Sequence, residues 1–146
     1  SNFSLLSKSL SKSLIEDTRM NLLACDEYET IGDYQNRIAN RLFMLYENSI
    51  ELDEVRAKMA FKLHSLSVEL FNDISRAVRT NEKELYPIGM KKYQALKAYY
   101  KEVKREHFSR AENIPARLNT GYLDIINYYK RIADHTYNII EYVMKI

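Results

Sequence analysis

The chain is short of everything that builds turns, staples and loops. It has one Cys, three Gly, two Pro and no Trp in 146 residues. A lone Cys25 excludes an internal disulfide and a cysteine metal site. So few Gly and Pro leave little material for the frequent turns of a β-sandwich or barrel. Charge of one sign is also lacking: 22 Lys and Arg stand against 20 Asp and Glu, a formal net charge of +2. That balance, well mixed along the chain, argues against the clustered basic surface that nucleic acid requires. No run approaches the roughly 20 apolar residues of a membrane-spanning helix. The Ser- and Lys-containing start, Ser1 to Leu14, lacks the continuous apolar stretch of a signal peptide. It reads as a linker or frayed helix start over residues 1–12, with a membrane-surface helix as the less favoured alternative.

What remains is rich in Leu, Ile, Tyr, Lys and Glu, and its apolar residues recur at helical spacing. Met20, Ala24, Ile31, Ile38, Leu42 and Leu45 form one stripe, predicting a first helix from Leu5 or Lys12 to Asn48. Met59, Leu63, Leu66, Leu70, Ile74 and Val78 predict a second from Leu52 to Arg79, with Asp53 as a candidate cap. Tyr93, Leu96, Tyr100, Val103 and His107 or Phe108 predict a third from Pro87 to Glu112. Pro87 and Gly89 are expected to break or kink the approach to it, with a short helical turn capped by Asn81 before them. Asn113-Ile114-Pro115 is the clearest break, and a fourth helix is expected over Ala116–Met144. No segment alternates with a period of two. The expected fold is therefore all-α, a single antiparallel bundle of about four long helices covering residues 1–146, with the first and last helices as neighbours.

One feature points to function. Tyr28-Glu29-Thr30-Ile31-Gly32-Asp33 is echoed by Tyr129-Lys130-Arg131-Ile132-Ala133-Asp134, with Asp33 and Asp134 101 residues apart. Ile38 and Ile139, and Leu22 and Leu123, match at the same offset. An internal repeat implies two equivalent helices. On the first, Asp26, Glu29 and Asp33 are spaced to share one face. On the last, Asp124, Asn127, Asp134, Asn138 and Glu141 form a comparable stripe interrupted by Arg131. If these faces converge, their oxygens suit a hard cation or an iron or manganese centre; a solvated polar face is the plainer alternative. None of His64, His107 and His135 completes a Glu-x-x-His pair, since Phe61, Lys104 and Ile132 stand three residues earlier. His64 and His107 lie beside apolar stripes and read as packed histidines. His135, next to the repeated Asp, is either packing or an aid to a metal site. The twelve Tyr read as core and boundary packing. No phosphate loop, Walker pattern or HExxH motif is present, and no catalytic apparatus is expected.

The two repeated segments resemble the paired ERIGD and ERIADH motifs of the PhoU family of phosphate-homeostasis proteins. Arg105-Glu106-His107-Phe108-Ser109-Arg110 followed by Tyr122-Leu123-Asp124-Ile125-Ile126-Asn127 is similar to the PhoU-like region that follows the membrane domain of bacterial sodium-phosphate cotransporters. The resemblance implies two repeats of a three-helix unit with the motif on each third helix, of which this chain holds the last helix of the first and all of the second. It further implies a non-enzymatic regulatory domain at the cytoplasmic face of the inner membrane, contacting a transporter membrane domain, transport or sensor proteins, or a second copy. The alternative it implies is a free-standing adaptor that restrains a phosphate ABC transporter and its sensor kinase. A carboxylate-bridged metalloenzyme is a weaker third. By resemblance, the candidate ligands of iron, zinc or manganese are Asp26, Glu29, Asp33, Asn127 and Asp134, and the polar stripe of the last helix adds Asp124. Lys130 stands where the motif has an acid, and an ammonium there repels a cation. It is expected to reach Glu29, Asp33 or another acid and to replace a metal with an ion pair.

Overall fold

A computed structural model describes residues 1–146 and contains four helices and no strand: α1 (Asn2–Glu47), α2 (Glu54–Thr80), α3 (Leu85–Ser109) and α4 (Ala116–Met144). The chemistry of the breaks sets these limits. Asn48 closes α1, its N–H reaching the Met44 carbonyl. Asp53 opens α2 by accepting the Arg56 N–H at 3.0 Å, the N-cap role that its short acidic side chain fits. Asn81 ends α2 in the left-handed conformation (φ 59°), which Asn tolerates better than most residues. Pro115 stands at the N-cap of α4.

Three boundaries depart from expectation, one of them the end of α3, which stops at Ser109 and not at Glu112. α1 is helical from Asn2 and so takes in the segment 1–12; Ser1 caps it by accepting the Ser4 N–H. α3 starts two residues before Pro87. Pro87 therefore sits in the first turn, where its missing N–H has no partner to lose, and it neither breaks nor kinks the path. Gly89 lets α3 approach closely: a Cβ there would lie 2.6 Å from Ile74 Cδ1 and 3.1 Å from Ile140 Cδ1.

α4 is the central element, packing against all three others. Together α2, α3 and α4 form a triangular unit, with α3 antiparallel to both neighbours. The pairs Lys92–Asp73 and Tyr93–Asp134 at one end and Arg56–His107 and His107–Asn119 at the other fix those directions. α1 lies antiparallel along α4, and Tyr28 reaches across to Phe71 of α2 with ring centroids 5.7 Å apart. The core runs through all four helices: Ile31, Ile38 and Leu45 from α1, Leu63, Leu70 and Ile74 from α2, Leu96 and Val103 from α3, and Ile125, Ile132 and Ile139 from α4. Leu42, placed on the α1 stripe by spacing, is instead exposed, and on α3 it is His107 and not Phe108 that turns inward. Helix lengths carry a consequence. At 1.5 Å per residue the 46 residues of α1 span about 69 Å and the 29 of α4 about 44 Å, so α1 outruns its partner.

Candidate functional site

The repeated motifs sit side by side on the α1–α4 pair. Arg41 Nε donates to Asp124 Oδ2 at 2.7 Å below them, and Asn138 Nδ2 donates to the Glu27 carboxylate at 3.2 and 3.3 Å above. Ile31 and Ile132, the equivalent apolar centres, are both buried between those two ties.

At this level the acid that meets α4 is Glu27. It is 8 % exposed and gathers three donors from α4: His135 Nδ1 at 2.7 Å, Asn138 Nδ2, and the Tyr142 hydroxyl at 3.0 Å. The hydrogen bond to Glu27, with burial adding to it, pushes the Tyr142 phenol up from its ordinary value. Tyr34 stacks on the His135 ring at 5.7 Å, and the Arg37 guanidinium lies over Tyr34 at 5.2 Å. His135 is thus clamped by a carboxylate on one side and an aromatic face on the other.

The opposite side of α4 carries a second polar group. Asp134 accepts from the Tyr93 hydroxyl at 2.6 Å and from Lys130. Lys130 lies over the Tyr93 and Tyr100 rings at 5.6 and 5.9 Å. Tyr100 donates to Asn127, and Tyr93 stacks on Tyr137 at 4.3 Å. Burial foremost, and then the bond to Asp134, drive the Tyr93 phenol well above its usual range.

A third cluster closes the end of the bundle where α2 begins and α3 stops. Arg56, 5 % exposed, donates from Nε to His107 Nδ1 at 3.0 Å, from Nη1 to Asp53 at 2.6 Å and from Nη2 to the Arg110 carbonyl at 2.8 Å. Because His107 Nδ1 accepts, its Nε2 carries the hydrogen and donates to Asn119 Oδ1 at 2.7 Å. Burial alone would raise the Asp53 carboxyl, but its backbone and side-chain hydrogen bonds from Arg56 outweigh it and hold the group below its ordinary value. Burial pushes the neighbouring Tyr122 phenol up to about 12.

The six residues proposed as ligands are not brought together. Asp26, Glu29 and Asp33 are exposed, on the side of α1 away from α4. Asp124 is tied to Arg41, Asn127 to Tyr100, and Asp134 to Tyr93 and Lys130. No three His, Cys, Asp or Glu side chains converge in the geometry of a metal site. As placed, the donor set does not fit an iron, zinc or manganese centre: two of its carboxylates already hold a cation of the protein. Lys130 does reach an acid, but that acid is Asp134 on its own helix and not Glu29 or Asp33, which lie around the far side of α1.

Glu27 and Arg56 escaped the motif reading, yet each left a mark in the sequence. Glu27 lies three residues after Ala24 and four before Ile31, and Arg56 lies four before Ala60 and seven before Leu63. A single charge set into an apolar stripe signals a buried, partnered group.

The PhoU domain family matches residues 61–143, more than half of the chain and nearly all of α2, α3 and α4. The chain belongs to the PhoU family. No curated protein and no solved structure gave a match. The matched span coincides with the triangular three-helix unit, and α1 lies outside it, docked through its own copy of the motif. PhoU domains are regulatory and non-enzymatic, they interact with phosphate-transport proteins, and membership gives this chain a role in regulating phosphate homeostasis. No helix is long and apolar enough to cross a membrane.

Proposed function

We propose that this PhoU domain is the regulatory part of a sodium-dependent phosphate transporter. It lies at the cytoplasmic face of the inner membrane and acts by contact and not by catalysis. The observation that carries the reading is the way the motif is spent. Its interior residues, Ile31, Ile132 and Ala133, join the two helices, while Asp26, Glu29 and Asp33 stand in solvent with no structural task. Three carboxylates on one open face suit a charged partner surface. The similarity of the His107 and Asp124 segments to the cotransporter-linked region supports the transporter as that partner.

The test is phosphate uptake by cells producing the gene product that carries this domain, with the domain intact and with it deleted. Uptake is expected to require a sodium gradient and to change in rate or in its response to phosphate when the domain is removed. Uptake driven by ATP hydrolysis, with sodium irrelevant, would assign the domain instead to an adaptor of a phosphate ABC transporter. Oxidase activity in the isolated protein would contradict both.

A further inference from the structure

α1 continues past the end of α4. An ion pair between Lys145 and Glu16 at 3.6 Å marks where the two part, and every residue from Asn2 to Ile15 is exposed. On this head Phe3, Leu6, Leu10 and Leu14 are 81, 58, 62 and 68 % exposed and line a shallow groove with Ser7 and Ser11. An apolar side of this length left in water marks an interaction surface.

Its register says what shape covers it. Below the head, α1 meets the body through Ala24, Ile31, Ile38 and Leu45, buried residues spaced by sevens. The same steps counted back from Ala24 reach Asp17, Leu10 and Phe3. Leu6 likewise shares its register with Glu27 and Tyr34, which face α4. The head's apolar side is the same seam continued. A seven-residue repeat is the spacing of a helix-on-helix contact, so the vacant part takes a helix antiparallel to α1, in line with α4 and starting where α4 stops.

We infer that the occupant is the head of a second copy of this chain. Two heads running antiparallel around a two-fold axis make the same patch serve both sides. Leu6 of each copy then meets Leu10 of the other, giving two leucine layers, and each Phe3 meets the small Ser13 with Leu14 alongside. Nothing charged crosses the seam between Phe3 and Leu14, because Lys8 and Lys12 lie on the far side. Those two cations are few for a lipid-binding helix, which carries clusters of about four to eight Lys or Arg. The paired segment falls short of the ~1,600 Å² of a standard interface, so association is reversible. The inference is independent of which transport system the domain serves.

The test is sedimentation of the full chain from about 1 to about 500 μM, a range that follows a mass-action equilibrium. Wild type is expected to rise from the mass of one chain toward that of two. Leu6→Glu/Leu10→Glu is expected to remain a single chain throughout, with helix content and melting unchanged because both positions are exposed. Leu10→Ser, which removes one layer without adding charge, is expected to weaken association about tenfold or more. Wild type that stays a single chain at every concentration overturns the inference, as does a double-Glu variant that associates like wild type. Wild type that stays single but floats with phosphatidylserine vesicles, with binding lost in Leu6→Glu/Leu10→Glu, overturns it in favour of a lipid surface.

Discussion

Glu27 and its neighbour Asp26 differ by one position and about 100° around the helix, and that rotation decides what each does. Asp26 faces water, while Glu27 accepts from three side chains of α4. Replacing Glu27 by Ala strands those donors at a nearly closed interface, and we expect a loss of about 2–4 kcal/mol, read as a lower urea midpoint at constant slope. Asp26→Ala is expected to change stability by less than ~0.5 kcal/mol. Equal effects of the two would show that α1 is rotated from the position described. Lys130 permits a second prediction at this scale. Lys130→Glu would remove the cation beside Asp134 and set two carboxylates one helical turn apart. Titration with iron, manganese or zinc, followed by thermal shift, is expected to show tighter binding by the variant than by wild type. The acids of the motif were legible from the repeat, and so was their exposure, because Asp26, Glu29 and Asp33 lie opposite Ile31 and Ile38 on the helix. Their expected closeness to the second motif was not met, because a face opposite the apolar stripe points away from α4 as well as from the core.

At the scale of the element, α4 was legible in full because its signals agree: a Pro-containing break before it and a strong apolar stripe through it. The start of α1 was not, because its Ser-rich composition weakens helix preference without forbidding a helix. The third helix is expected to begin at Pro87 and begins at Leu85, because Pro87 fits anywhere in the first turn and does not mark the first residue. The opening of α2 supplies a pH prediction. Asp53 has a folded-state value below its ordinary 3.8, so its contribution is present above that value and is lost as pH falls through the lower folded-state one. Asp53→Asn keeps an N-cap acceptor and removes the charge facing Arg56. The variant is expected to melt lower than wild type at pH 7, and the gap is expected to close between about pH 5 and pH 2. A gap that stays constant across that range would mean that the carboxylate's charge contributes nothing to the cap.

For the whole molecule, the all-α class and the α1–α4 pairing were readable because two copies of one motif imply two equivalent faces around one core. The manner of docking was not. Nothing in the stripes says that α1 leaves α3 alone, or that its first four turns stand free; those follow from the relative lengths of α1 and α4 and from which stripe α4 turns to each neighbour. The result is a PhoU three-helix unit with a long fourth helix attached through buried Ile31, Ile38 and Glu27, presenting an acidic face outward. The central claim is that this face, and not a bound metal or a catalytic group, transmits regulation to a transport partner. The measurement that tests it most directly is sodium-driven phosphate uptake in cells producing the complete gene product as wild type or as Asp26→Asn/Glu29→Gln/Asp33→Asn. The changes neutralise the face at exposed positions and keep its shape, and the isolated domain is expected to melt within a degree or two of wild type. The account expects uptake, or its dependence on external phosphate, to be altered several-fold. Uptake indistinguishable from wild type, with the variant folded and present at equal levels, would contradict it.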